Sequence, residues 1–205
     1  MNILEDYHVH CSYNDHSAPD LTVKNVLRRA EEIGLQTIAF TEHVRKTSEW
    51  IPDYLGEIEQ ASTRVRVVTG FEAKILRDGS IDCPKEYAEK YFLVASFHTK
   101  YGDKKVWMDA LKTATANPDV DVLGHLAAED GFDIGMDEVR ELARLIVAND
   151  KIVELNAKYQ RPSKPWLQVF KDSGVRFNLG SDAHSLQEVG DFTKISNLIS
   201  IVEEK

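Results

Sequence analysis

Short runs of β-branched and other apolar residues recur along the chain, and the stretches between them place apolar residues at helical spacing. Asp6-Tyr7-His8-Val9-His10 reads as a strand. A turn-rich stretch to Leu21 follows, then an amphipathic helix with Thr22 as its N-cap and Gly34 as its stop. The pattern recurs as a strand over residues 37–40, a helix over about 54–62, and a strand over 65–68 that ends near Gly70. Residues 92–96, 120–123, 152–155 and 175–179 read as further strands, each followed by a helical stretch. This makes seven β/α units. Such alternation predicts a parallel sheet covered by helices, and seven units suit a closed barrel better than an open, flavodoxin-like sheet. No linker, internal repeat or low-complexity segment divides the chain, so residues 1–205 are read as one domain.

Composition narrows the function classes. With 42% hydrophobic and 29% charged residues over 205 positions, the chain is an ordinary globular protein, neither disordered nor fibrous. No apolar run reaches the roughly 18 to 20 residues of a membrane span, and the first residues lack the basic flank and apolar core of a signal peptide, so a cytoplasmic protein with no membrane partner is expected. The 25 basic and 34 acidic residues leave a net charge of −9, which makes nucleic acid a poor default partner. Cys11 and Cys83 are too few for a disulfide framework. Neither a dinucleotide-binding glycine fingerprint nor a Walker-type phosphate loop is present.

The seven histidines change the picture. His8, His10, His16, His43, His98, His125 and His184 nearly all fall at or just past the end of a predicted strand. A single such histidine is ordinarily a hydrogen-bonded core or surface residue. In a barrel, however, the carboxyl ends of all strands share one face, where residues distant in sequence meet. His8 and His10 sharpen the argument, because a strand's period of two points both imidazoles to the same side. With Glu72, Asp182 and His184 they form a mixed imidazole and carboxylate set suited to zinc, manganese or iron.

These residues and their neighbours resemble the PHP family, named for polymerase and histidinol phosphatase, and especially its free-standing histidinol-phosphatase-like members. The matching pieces are Asp6-Tyr7-His8-Val9-His10, Phe40-Thr41-Glu42-His43, Gly70-Phe71-Glu72, Ser96-Phe97-His98, Gly124-His125, Glu154-Leu155-Asn156 with Arg161, and Gly180-Ser181-Asp182-Ala183-His184. They span almost the whole chain. The resemblance implies a distorted (β/α)7 barrel with three divalent transition metals at the carboxyl ends of the strands. It implies that His8, His10, Glu72 and Asp182 hold the first metal, that Glu72 bridges to a second completed by His98 and His125, and that His16, His43 and His184 hold the third. Three positions depart from the family pattern. Glu42 stands where Asp is more frequent, Ala127 where many relatives carry Asp, and Tyr159 where Gly is frequent. The Asp15-His16 doublet offers two candidates for one ligand of the third metal, of which His16 is favoured.

The implied activity is hydrolysis of a small-molecule phosphate monoester by a hydroxide bridging two metals, with Glu72, Asp182 and Arg161 as the catalytic set. Metal binding brings the pKa of water into the neutral range, so no protein nucleophile is needed, and no nucleophile-elbow serine or catalytic cysteine setting is evident. Arg161, just beyond the sixth strand, is the candidate phosphate fork, and Lys158 a candidate point charge in substrate binding. Glu42 and Asn156 are candidates for orienting ligands. The alternatives are a phosphodiesterase or exonuclease using the same metal chemistry, against which the acidic balance counts, and a noncatalytic metal-binding regulatory module.

Overall fold

A computed structural model of the chain describes residues 1–14 and 16–204. Its seven strands are β1 (Glu5–Val9), β2 (Thr37–Val44), β3 (Arg66–Lys74), β4 (Phe92–Ser96), β5 (Val122–Leu123), β6 (Ile152–Asn156) and β7 (Arg176–Gly180). They pair in parallel and in sequence order. Helices alternate with them: α1 (Val23–Glu32), α2 (Ile51–Gln60), α3 (Lys85–Ala88), α4 (Lys104–Ala116), α5 (Met136–Ala148), α6 (Lys164–Asp172) and α7 (Ser196–Glu203), the last preceded by a 3-10 turn at Thr193–Ile195.

The ring closes between β1 and the segment after β7. Val9 bridges Ala183 in parallel, His10 N donates to Ala183 O at 3.1 Å, and Asp182 N donates to His8 O at 2.8 Å. Buried Asp6 reinforces this seam by accepting from Ser181 N and Gly190 N, each at 2.9 Å. Burial outweighs these hydrogen bonds and pushes the Asp6 carboxyl up to about 6. The sheet is therefore a distorted (β/α)7 barrel rather than an open doubly wound sheet.

Local signals account for most boundaries. Thr22 Oγ1 accepts from Asn25 N at 3.3 Å to cap α1, whose buried stripe is Val23, Val26, Leu27 and Ala30, and Gly34 ends it with φ +77°. Helix α2 begins earlier than expected, at Ile51, because Pro52 fits the first turn of a helix. Strands β2 and β3 run four and more residues past their apolar cores, which brings Glu42, His43 and Glu72 inside the ladder. Strand β5 is shorter than expected and keeps only Val122 and Leu123.

On β1, β3 and β6, alternation separates apolar side chains on the outside from polar ones on the inside. Phe71 points outward to an aromatic layer of Trp50, Tyr54, Tyr87 and Tyr91 contributed by α2, α3 and their flanks. Its neighbour Glu72 points inward and is 1% exposed. The same alternation sends His8, Glu154 and Asn156 into the barrel, where each is at most 1% exposed. Gly180 makes this interior possible, since a Cβ there would overlap the Glu154 carboxylate.

Candidate metal centre

Glu72 is the hub of the barrel mouth. Its Oε1 lies 3.0 Å from both His98 Nε2 and His125 Nε2. Its Oε2 lies 2.8 Å from His43 Nδ1, 3.5 Å from His8 Nε2 and 3.6 Å from His10 Nε2. The two oxygens of one buried carboxylate thus face two different groups of imidazoles. His43 reaches it because His43 and Glu72 are direct partners in the β2–β3 register.

The first predicted set is assembled. His8 Nε2 and His10 Nε2 are 3.2 Å apart, and His10 Nε2 is 3.4 Å from Asp182 Oδ1. Three groups of donor atoms, His8/His10/Asp182, His43/Glu72/His98 and His10/His43/His184, each lie within 4.8 Å of one another. His125 joins the second through the oxygen it shares with His98. In the third, His10 accompanies His43 and His184. His16 sits exposed at the rim, its ring edge-on to that of His43 with centroids 6.4 Å apart. Asp15, the other candidate for that position, lies outside the described residues.

Two residues of the ligand loops take up left-handed backbone, His125 at φ +28° and Asp182 at φ +55°. Both turn an amide inward to an acceptor. His125 N donates to Glu154 Oε2 at 2.6 Å, and Asp182 N makes the bond to His8 O that seals the barrel.

Carboxylates behind the imidazoles set their orientation. Glu154 Oε1 is 2.6 Å from His8 Nδ1, which leaves Nε2 facing the centre. Glu42 Oε1 is 3.4 Å from His10 Nδ1 and accepts from His43 N at 2.8 Å, while Oε2 accepts from Cys11 N at 3.0 Å. Asn156 Nδ2 donates to Glu154 Oε2 and to Asp182 Oδ2, each at 3.1 Å. Glu42 and Asn156 were legible as orienting residues. Glu154 belongs to the matching piece Glu154-Leu155-Asn156 but carries no role from sequence alone, although a lone acid in the apolar run Ile152-Val153-Glu154-Leu155 signals a buried polar partner.

The protonation equilibria describe a centre short of positive charge. Burial opposes a proton on His8, yet Glu154, Glu72 and Asp182 outweigh it and raise the imidazole well above its usual range. Burial likewise opposes a proton on His10, but hydrogen bonds to Asp182 and Glu42 raise it to about 9. Glu72 and Asp182 resist the upward push of burial and are held well below the carboxylate range, Glu72 by His98, His8, His125 and His43, and Asp182 by His8 and His10. His184 moves the other way, to about 4, through burial and the nearby His10 and Lys158 cations.

Lys158 reaches into this cluster, its Nζ 2.7 Å from His184 Nδ1 and 3.4 Å from Asp182 Oδ1. The Lys158 ammonium among the donors marks where the site favours cations. The donors are imidazole nitrogens and carboxylate oxygens, so the residues present fit divalent zinc, manganese or iron. Arg161 lies farther out, exposed, on a loop whose ends are tied by Asn156 N to Arg161 O at 2.9 Å and Arg161 N to Asn156 O at 3.2 Å. The site opens into a cleft of about 1560 Å³ lined by Lys74, Lys158, Tyr159 and Arg161 and by all the candidate ligands except the buried His8 and His10. Cys11 and Cys83 are both buried free thiols. No helix among the described residues is long and apolar enough to cross a membrane.

Known proteins resemble this chain along nearly its full length. A probable phosphatase of Acetivibrio thermocellus is 28% identical over 99% of this chain and 88% of its own, and one of Clostridium acetobutylicum is 27% identical over the same shares. Histidinol phosphate phosphatase from Lactococcus lactis, solved with zinc, L-histidinol and phosphate, superposes with a TM-score of 0.72, covering 97% of this chain and 92% of that one. At 21% identity that likeness bears on the fold. The sequence model of the PHP domain matches residues 6–158, more than half of the chain and most of the residues gathered at the barrel mouth. The protein therefore belongs to the PHP domain family.

Proposed function

We propose that the protein is a metal-dependent phosphatase that hydrolyses a small phosphate monoester at the barrel mouth, with residues 1–205 acting as one PHP-type domain. The observation that carries this reading is Glu72, a buried carboxylate whose two oxygens face separate groups of imidazoles on the floor of an open cleft. The relatives named as phosphatases support it, as does the Lactococcus lactis protein that binds zinc, histidinol and phosphate.

In this reading three divalent ions would be held by His8, His10, Asp182 and Glu72, by Glu72, His98 and His125, and by His16, His43 and His184. When bound, such ions acidify water toward neutrality and neutralise phosphoryl oxygens. Glu154 and Glu42 hold His8 and His10 with their Nε2 atoms toward the centre. Asn156 steadies Asp182. Arg161 offers a planar fork for two phosphate oxygens from the rim, and Lys158 exchanges its contacts with Asp182 and His184 for a third. These groups concentrate positive charge in a molecule whose net charge is −9.

The test is steady-state release of inorganic phosphate by metal-replete protein from a panel of monoesters, against cleavage of diesters. Release from monoesters, lost on chelation and restored by zinc, manganese or iron, is the expected result. Cleavage of diesters alone would assign the chain to phosphodiester chemistry, and full activity in chelator would remove the metals from the mechanism. Elemental analysis should give close to three ions per chain, and a stoichiometry near one after reconstitution would reject the trinuclear assignment.

A further inference from the structure

Glu129 joins the two loops that carry His98 and His125. The candidate ligands His43 and Glu72 stand inside the β2–β3 ladder, whereas His98 and His125 stand beyond the ends of β4 at Ser96 and β5 at Leu123. Loop conformation therefore decides how these two imidazoles meet Glu72 Oε1, from which each Nε2 is 3.0 Å away. Four residues past His125, the half-buried Glu129 crosses to the neighbouring loop. Its Oε1 accepts from Tyr101 N at 2.5 Å and its Oε2 from Gly102 N at 2.9 Å, three and four residues past His98.

The Tyr101 end of this tie is itself anchored. The Tyr101 hydroxyl donates to Ile75 O, just past β3, and its ring lies 5.6 Å from that of Phe97. Arg77 donates to Tyr101 O at 3.1 Å and stands 5.1 Å over the same ring. Glu129 thus holds the His125 loop against a point fixed to the strand that carries Glu72. A second link between the loops, Lys100 Nζ to Asp130 Oδ2 at 3.0 Å, joins side chains 75% and 92% exposed, where water screens it. The Glu129 carboxylate instead makes charge-assisted bonds to two backbone amides, which are stronger and geometrically stricter. We propose that Glu129 is a positioning residue that sets the spacing of His98 and His125 at Glu72, and with it the affinity of the ion these three residues would hold. The proposal rests on the metal reading of the site and adds to it a residue that acts through the two imidazoles.

The experiment measures zinc affinity by competition with a chromogenic chelator, with circular dichroism to establish that each variant is folded. Glu129→Ala should weaken one bound zinc ion by about tenfold, the low end of what groups that orient metal-binding imidazoles are worth, while Asp130→Ala stays within about twofold of the parent. Glu129→Gln keeps the size and one acceptor, so it should fall between, and it carries the test if Glu129→Ala does not fold. In His98→Ala, removal of Glu129 as well should cost no further affinity, because the spacing it sets no longer exists. Zinc affinity within about twofold of the parent in the folded Glu129 variants, an equal loss in Asp130→Ala, or the full loss repeated in the His98→Ala background overturns the proposal. A structural role alone would lower the melting temperature and leave zinc affinity of the folded protein unmoved. Proton–nitrogen imidazole spectra of the metal-free protein give an answer independent of metal. The His98 and His125 signals should move in Glu129→Gln while those of His8 stay in place, and unmoved His98 and His125 signals overturn the proposal. Moved signals beside a parent protein that binds no zinc would overturn the metal reading and leave the coupling of the two loops standing.

Discussion

Replacing Glu154 tests whether a side chain that faces no substrate governs metal affinity. Its Oε1 is 2.6 Å from His8 Nδ1, while Oε2 accepts from both His125 N at 2.6 Å and Asn156 Nδ2 at 3.1 Å. In Glu154→Gln the shape is kept, but one oxygen becomes a donor. If the amide oxygen stays on His8, its NH2 meets the donors of His125 and Asn156. If it turns, His8 Nδ1 loses its acceptor. Either way at least one charge-assisted hydrogen bond of about 1.5–3 kcal/mol is lost in a site 1% exposed. Part of that loss falls on folding and part on the orientation of His8 and His125. Carboxylates that orient metal-binding imidazoles are typically worth about 10–100-fold in metal affinity, or about 1.4–2.7 kcal/mol. We therefore expect Glu154→Gln to bind zinc about 10–100-fold more weakly, measured by competition with a chromogenic chelator. Circular dichroism and thermal unfolding of the metal-free protein separate the folding share. Excess zinc should recover part of the phosphatase rate. A zinc affinity within twofold of the parent would show that His8 and His125 are held by packing alone and refute the reasoning.

Three further outcomes follow from the geometry. Glu72→Gln keeps size but removes the charge facing imidazoles on both sides, so it should lower both metal content and kcat severely; near-normal turnover at full occupancy would end the bridging assignment. Arg161→Ala should leave metal content intact and lower kcat/KM by about 10- to 150-fold, with Lys restoring only part; unchanged kcat/KM on every monoester would return Arg161 to a solvated loop. Because His10 is raised to about 9 and His8 is also raised, the metal-free centre holds protons at pH 7 that a metal must displace. Apparent affinity should then climb about tenfold per pH unit for each displaced proton and level off once pH has passed the raised range of both imidazoles. Calorimetry in buffers of different ionisation enthalpy measures the release, and pH-independent binding between about 6.5 and 9 would contradict it.

What the sequence determined by itself is the part governed by local rules. Strand period placed His8 and His10 on one side, capping and stop signals at Thr22 and Gly34 bounded α1, and alternation of β and α units led to a barrel with one shared carboxyl-end face. Nine candidate ligands stand out because imidazoles and acids at strand ends are chemically conspicuous; six of them, His8, His10, His43, His98, His125 and His184, lie around two others, Glu72 and Asp182, at the barrel mouth, with His16 at the rim. The rest depended on distance in space. Glu154 meets His8 across 146 residues, and only ring closure brings β6 against β1 through the gap left by Gly180. Asp6 is a seam residue because its acceptors face backbone donors at Ser181 and Gly190, which no local pattern reveals. Lys158 and Arg161 are three positions apart in one loop, yet one reaches His184 and Asp182 and the other stays at the rim. That difference comes from the turn at Gln160 and the pairing of Arg161 with Asn156, since backbone conformation, rather than residue type, decides where a long side chain ends.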